Sequence, residues 1–293
     1  MPGAGDPTHA RASPECFICV TCGTQFESSP QPPERCPICE DPRQYVPPEG
    51  QRWTTLADLG QSNRNRVAAE VELTGIGIEP QFAIGQRALL VPFGDSQLLW
   101  DCVPLLNEAP AAEIDGRGGL RGIAISHPHY YTTMVEWAHR FDCPVYLHAD
   151  DARWIMRPDE SIELWHGESL ALGEGLTLVR CGGHFPGATV LLWEGGAGGR
   201  GTLLVGDVVA PVADRRYVTF MWSYPNYVPL PAQEVRRIGR ALAPLRYEVL
   251  HGAFWGLERS DAKAMVDRSL VRYLRILESP QGIVDTPSDD WPL

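Results

Sequence analysis

Two short pairs, Cys19-Val-Thr-Cys22 and Cys36-Pro-Ile-Cys39, separated by 13 residues, constrain this chain more than any other feature. That spacing lets two tight turns offer four thiolates to one tetrahedral ion. Gly23 follows the first pair and Pro37 sits inside the second, both residues that favour turns. Eight cysteines in 293 residues are too few for a disulfide scaffold, yet five of them crowd between Cys16 and Cys39. The expectation is a metal knuckle of the zinc-ribbon or rubredoxin-like kind over residues 16–47, held by Cys19, Cys22, Cys36 and Cys39. Cys16 is left spare by this symmetric set, although it competes for the ion as a further thiol. A segment of about 30 residues cannot hold itself by an apolar core, so the ion supplies its folding energy. Structural Zn2+ fits four thiolates, and rubredoxin-type iron uses the same ligands. Four cysteines close the coordination shell, which places any chemistry elsewhere.

Residues 1–15 read as a flexible N-terminus, and the Pro-rich stretches Ser28 to Glu34 and Pro47 to Gly50 as extended linkers. The large domain is expected over residues 48–293, and 44% hydrophobic residues suffice for a real core. Arg87 to Pro92 and Gln97 to Val103 are apolar runs joined across Phe93-Gly94-Asp95-Ser96, the signature of a hairpin. Further short apolar runs predict strands at Gly122 to Ser126, Val145 to His148, Leu176 to Arg180, Thr189 to Trp193, Thr202 to Val205 and Glu248 to Leu250. Three helices are predicted: one capped by Ser260 with Val266, Leu270, Tyr273, Leu274 and Leu277 at helical spacing, one from Ala232 to Leu242, and one after Thr133. There Thr133 and Glu136 make a capping-box pattern. Strands mixed with helices in this way fit a layered α/β (α+β) fold with helices on the outer faces of sheets.

The charge balance, 25 basic against 37 acidic residues and −12 net, argues against a nucleic-acid partner held through phosphates. No apolar run approaches the ~20 residues that span a bilayer, and Met1 to Pro14 lacks the apolar core of a secretory signal. A cytoplasmic protein without a membrane partner is the expectation.

Four histidines and one aspartate fall at the ends of predicted strands, where a layered sheet usually presents its site. Ser126-His127-Pro128-His129 leaves one strand, and an H-x-H pair so placed can aim both imidazoles at one ion. His184 follows 55 residues later in Gly182-Gly183-His184-Phe185-Pro186-Gly187, Asp207 lies 23 residues further in Gly206-Asp207, and His251 comes 44 residues after that. In order and spacing this series resembles the metallo-β-lactamase superfamily, with its H-x-H-x-D-H, G-H-x-x-G, G-D and late-histidine motifs. The resemblance runs over roughly residues 70–255 and includes Trp100-Asp101-Cys102 in the early hairpin. It implies a four-layer αββα sandwich with the metal site along one edge of the two sheets.

The resemblance also implies which residues hold metal. His127, His129 and His184 correspond to the family's first site, and Asp207 to its bridging ligand. The second site needs the D-H of the first motif, and here those positions are Tyr131 and Thr132, leaving only Asp207 and His251. One cleft ion, Zn2+ or Fe2+, is therefore expected instead of two. His251, released from a second ion, is a candidate ligand of the single site or an acid, base or water-orienting group. Tyr131 is a candidate ligand or proton donor, although a phenol titrating near 10 is a poor base unaided. Its blander reading is a packed aromatic. His9, His139, His148 and His166 have no partner motif. Val209 to Pro231 is expected to be a long, irregular segment carrying Tyr217, Phe220, Met221, Trp222, Tyr224 and Tyr227, and with Phe254 and Trp255 it either walls a pocket for an apolar or aromatic small molecule or buries itself.

The leading functional expectation is a hydrolase in which one ion activates water against an ester, thioester, lactone or amide, with Asp207 as ligand and possible base. The alternatives are a mononuclear Fe(II) dioxygenase acting on a thiol-derived substrate, and a non-catalytic protein whose knuckle docks a protein partner.

Overall fold

The computed structural model describes residues 14–279; residues 1–13, with His9 and most of the expected flexible N-terminus, lie outside that range, as do residues 280–293. Two mixed sheets form the body. The seven-stranded sheet runs in chain order through Arg64–Glu70, Leu73–Glu79, Ala88–Phe93, Ser96–Trp100, Leu120–Ala124, Val145–His148 and Ile162–Trp165. Its first four strands are antiparallel, and from Ser96–Trp100 onward the pairs are parallel. The six-stranded sheet comprises Ser169–Gly173, Leu176–Arg180, Thr189–Trp193, Thr202–Leu204, Val249–His251 and Glu258–Arg259, with Thr202–Leu204 and Val249–His251 parallel.

Period-two alternation builds the layers. Leu89, Val91, Phe93, Leu98 and Trp100 of one sheet meet Leu176, Leu178, Leu191 and Leu204 of the other in a core between the sheets. Their neighbours Leu90, Leu99, Val190, Leu192 and Leu203 belong instead to the larger core, with Val135 and Trp137 of the helix Met134–Phe141, Val235, Ile238 and Leu242 of Ala232–Leu242, and Val266 of Ala262–Leu277. The expected hairpin is present with Phe93 opposite Ser96 across Gly94-Asp95, and Gly94 takes the positive φ of 65° that the tight turn needs.

Two predicted caps are absent. Thr133 precedes its helix, but its hydroxyl donates to the carbonyl of Val103 (3.0 Å), and Glu136 pairs with Arg157 (2.5 Å), so no capping box forms. The last helix begins at Ala262 with Asp261, not Ser260, as the flanking residue. The sequence reading also passed over the hairpin Arg64–Glu70/Leu73–Glu79, whose Gly75 and Gly77 lack side chains because the indole of Trp255 lies against them. Val209 to Pro231 is less irregular than expected, since Ala210–Pro211 pairs with Val218–Thr219 and Met221–Ser223 with Val228–Pro229.

The cysteine segment is packed onto the sandwich. Ile18–Cys19 pairs with Trp53–Thr54, and Cys19, Cys22, Phe26, Cys36, Ile38 and Cys39 are buried in the same core as Val103, Tyr131 and Met134. Backbone bonds tie it down: Gln25 N donates to Thr132 O and Glu27 N to Met156 O, both at 3.0 Å. Gly23 has φ 81°, and a Cβ there would sit 2.5 Å from Pro104 Cγ, so the turn after the first C-x-x-C pair touches the domain without space for a side chain.

One shared core has a measurable consequence. Phe26 stands edge-on to Trp53 at 4.9 Å and contributes to that core. Phe26→Ala is expected to cost about 2–4 kcal/mol while unfolding stays a single transition by both fluorescence and circular dichroism. Two separated transitions would contradict the shared core.

Candidate metal centre

The four thiol sulfurs of Cys19, Cys22, Cys36 and Cys39 lie within 4.8 Å of one another, with Cys19 to Cys39 at 3.5 Å and Cys22 to Cys36 at 3.6 Å. Donors about 2.3 Å from a common centre have tetrahedral edges near 3.8 Å, so the set fits one ion. The surrounding thiols of Cys22, Cys36 and Cys39 hold Cys19 far below the usual thiol range, and Gln51 Nε2 donates to its sulfur (2.9 Å). Cys16 stands outside the cluster.

The second cluster is assembled from the ends of strands. Leu120–Ala124 ends one residue before Ile125-Ser126, and Ser126 N donates to Asp101 Oδ1 (2.8 Å) while its hydroxyl lies 2.9 Å from His127 Nδ1. That contact orients the ring and leaves Nε2 facing the cluster. Pro128–Tyr130 forms one 3-10 turn, which brings His129 round to the same side. Gly206, in the turn after Thr202–Leu204, has φ 48°, and a Cβ there would lie 2.5 Å from Ser126 Oγ; glycine lets the Asp207 turn meet the His127 turn. Gly187 permits a comparable approach, its N–H donating to buried Asp151 (2.9 Å) and closing the loop that presents His184.

The resulting geometry suits an ion. His129 Nδ1 is 3.3 Å from His184 Nε2, His127 Nε2 is 3.4 Å from Asp207 Oδ2, and His184 Nε2 is 3.9 Å from the same oxygen. A tetrahedron with 2.0–2.1 Å bonds has edges of about 3.3–3.4 Å. The histidines are 1–2% exposed and Asp207 7%, and His127 Nε2 has no hydrogen-bond partner among the described residues. Burial, then repulsion from His127, pushes His184 down to about 3, and burial with the neighbouring imidazoles holds His129 well below its ordinary value. Burial works against the charge of Asp207, but the adjacent His127 and His184 rings still keep its carboxyl below the usual carboxylate range. Neutral imidazoles and an ionised carboxylate are the forms that bind metal.

Not every predicted residue joins this cluster. His251 pairs across the sheet with Leu204 and Glu258, so its side chain points into the layer between the sheets, where it groups with Glu70 and Glu258 rather than with the other histidines. Tyr131 is buried in the apolar core, and burial, then the charge of Asp151, drives its phenol well above the usual range. Its neighbour Tyr130 lies against the cluster instead, edge-on to His127 at 5.3 Å with its hydroxyl donating to Ala253 O (2.9 Å). Trp255 is occupied over Gly75, Gly77 and Arg66 (4.4 Å), and Phe220 is buried against Tyr273, so these aromatics line the sheet and helix packing. Tyr224 does reach the site: its hydroxyl donates to Asp207 O (3.0 Å) and its ring stands edge-on to His184 at 5.7 Å. Exposed His166 and half-exposed His139, which pairs with Asp159 (3.0 Å), lie apart from the cluster, and His148 accepts from Asp150 N.

Sequence reading missed the supporting shell. Asp101 and Asp151 are buried, and burial raises each carboxyl to about 6. Arg43 of the cysteine segment stacks 3.8 Å over Phe185 and donates to the carbonyl of His184 (3.1 Å), while Gln86 Nε2 donates to both Cys22 O (2.6 Å) and His129 O (3.0 Å). Only the position of Asp101 at a strand end carried a signal; Arg43 and Gln86 lie in segments without motifs.

Two stacked mixed sheets flanked by helices, with this cluster beyond the strand ends, define a metallo-β-lactamase fold. Solved structures with that fold agree: DIM-1 metallo-β-lactamase superposes with a TM-score of 0.54 at 14% identity, covering 71% of this chain and 96% of that one. FIM-1 from Pseudomonas aeruginosa in its mono-zinc form gives 0.51 at 15%, covering 72% and 96%. No protein-family profile matches the chain. It is 46% identical over 266 residues to the uncharacterized protein YmaE of Bacillus subtilis (strain 168), across 90% of this chain and 97% of that protein, and it belongs to the same family. No helix among the described residues is long and apolar enough to cross a membrane.

Two outcomes test the site. An unfolded histidine titrates near 6.5 whereas His184 in the metal-free fold titrates near 3, so between those values the unfolded state binds more protons and stability falls with falling pH. The unfolding free energy of metal-stripped protein should drop from pH 7 to pH 5, by up to about 1.4 kcal/mol per pH unit for each histidine so shifted; a flat profile would contradict the lowered titration of His184 and His129. Gly206→Ala is expected to weaken metal retention in dialysis at least tenfold, and unchanged retention would contradict the close approach to Ser126.

Proposed function

We propose that this protein is a metal-dependent hydrolase of small carbonyl compounds (esters, thioesters, lactones or amides), working with one ion held by His127, His129, His184 and Asp207. The observation that carries the reading is the convergence of three buried imidazoles and one carboxylate, with donor separations of 3.3–3.9 Å, in a metallo-β-lactamase fold. When bound, an ion in this donor set lowers the pKa of water toward neutrality and polarises a carbonyl. Zinc suits three imidazoles and a carboxylate.

The chain's own residues set the rest. Ser126 fixes the His127 ring, Gln86 and Arg43 fix the main chain of His129 and His184, and Tyr224 fixes that of Asp207. Asp207 is the most accessible of the four, which makes its side the approach for a substrate. Half-buried Tyr224, bonded to the Asp207 carbonyl and edge-on to His184, flanks that approach and favours an apolar or aromatic group. With Tyr131 buried and His251 turned between the sheets, neither is assigned the acid or base role.

A second reading draws on the burial itself. Four protein donors at near-tetrahedral separations and 1–7% exposure also describe a closed ion site without turnover. Steady-state assays of zinc-loaded protein on aryl esters, thioesters and lactones separate the two. The hydrolase reading expects turnover that Asp207→Asn lowers at least 100-fold and Ser126→Ala about 10–100-fold. Turnover unaffected by Asp207→Asn, or none on any of these substrates, would favour the closed site.

A further inference from the structure

A second group of ligand-type side chains lies between the sheets, apart from the four-donor cluster. Glu70 ends the strand Arg64–Glu70 opposite Leu73, His251 ends Val249–His251 opposite Leu204, and Glu258 faces His251 from the neighbouring strand. Leu73 and Leu204 belong to the core between the sheets, and residues opposite one another share a face. Register therefore directs all three polar side chains into that otherwise apolar layer. Their ligand atoms lie within 4.8 Å of one another, with His251 Nδ1 3.9 Å from Glu70 Oε2.

This placement is costly as it stands. His251 is fully buried, and among the described residues neither of its nitrogens has a hydrogen-bond partner. Glu70 is 5% exposed, and neither of its oxygens is hydrogen-bonded. Unsatisfied buried polar atoms are expensive, and a buried carboxylate more so. The neighbouring cation is Arg87, 3.4 Å from Glu70, but its guanidinium also donates to the carbonyls of Gly252 and Phe254. One positive charge against two carboxylates leaves the group short of a cation, and the bonds from Arg87 fix the loop that follows His251.

We propose that Glu70, His251 and Glu258 bind a divalent transition-metal cation, an ion site separate from both the four thiolates and the histidine–aspartate cluster. One imidazole with two carboxylates suits Zn2+ or Mn2+ and is a poor set for Ca2+ or Mg2+, which take all-oxygen shells. One nitrogen of His251 and one oxygen each of Glu70 and Glu258 would hold the ion, which pins the edge strand Glu258–Arg259 to the first hairpin. This holds whether or not the histidine–aspartate site turns over substrate.

The full-length protein, loaded with zinc and dialysed against low free zinc, should retain three ions per chain. Glu258→Gln, a change at a half-buried position, should retain two, and the cysteine and histidine–aspartate ions serve as the check that the variant is folded. His251→Gln should do the same. Cadmium-113 NMR of the wild type needs no variant: three resonances are expected, including one from a nitrogen–oxygen shell that persists in His127→Ala/His184→Ala. Two ions in the wild type, meaning that the carboxyls share a proton instead, or three ions unchanged by Glu258→Gln and His251→Gln, would overturn the proposal. So would a cadmium spectrum without that persistent resonance.

Discussion

One side-chain amide ties the two metal-type clusters together. Gln86 Nε2 donates to the carbonyl of Cys22 and to that of His129, so the turn that presents a thiolate and the turn that presents an imidazole share a donor. Arg43 makes the parallel link to His184, buried between the ring of Phe185 and the Asp41 carboxylate (2.6 Å) that anchors its guanidinium. The cysteine segment is thereby a wall of the histidine site. It is held to the sandwich by the core that Phe26, Ile38 and its four buried cysteines share with Val103, Tyr131 and Met134, and its four thiols form a set that fits one ion. The order of the histidine site thus depends on a segment built around a second candidate ion site.

The same docking explains the altered first motif. At the two positions where metallo-β-lactamases carry D-H, this chain turns Tyr131 into the core and presents the carbonyl of Thr132 to Gln25 of the cysteine segment. Thr132 takes a φ of 35° to do so. A segment that elsewhere supplies ligands to a second ion here supplies a docking surface. His251 follows suit: apart from the four-donor cluster, it faces the Glu70 and Glu258 carboxylates between the sheets.

What was legible in the sequence was whatever combined a rare residue type with fixed spacing. Paired cysteines, H-x-H, G-H and G-D located both clusters, since few other arrangements explain such residues at strand ends. Alternating Leu and Val runs located most inner strands, because a strand buried on both faces reads as a continuous apolar run. Strands with one open face were harder. Arg64–Glu70 mixes charge with small residues, and its partner's Gly75 and Gly77 look like loop until Trp255 is seen to fill their place. The side on which His251 falls depends on a register set by Leu204 across the sheet, which local spacing does not encode. The contacts of Arg43 and Gln86 join residues 141 and 43 positions apart, beyond any local pattern.

The central claim is that three histidines and one aspartate at the joined ends of two sheets hold a metal ion. Anomalous difference maps from crystals of the purified protein, collected across the zinc and iron absorption edges, test it most directly. The account predicts a peak enclosed by His127 Nε2, His129 Nδ1, His184 Nε2 and Asp207 Oδ2, at about 2.0–2.2 Å from each. A clear peak among Cys19, Cys22, Cys36 and Cys39 with featureless density between the histidines, in protein never exposed to chelator, would contradict it.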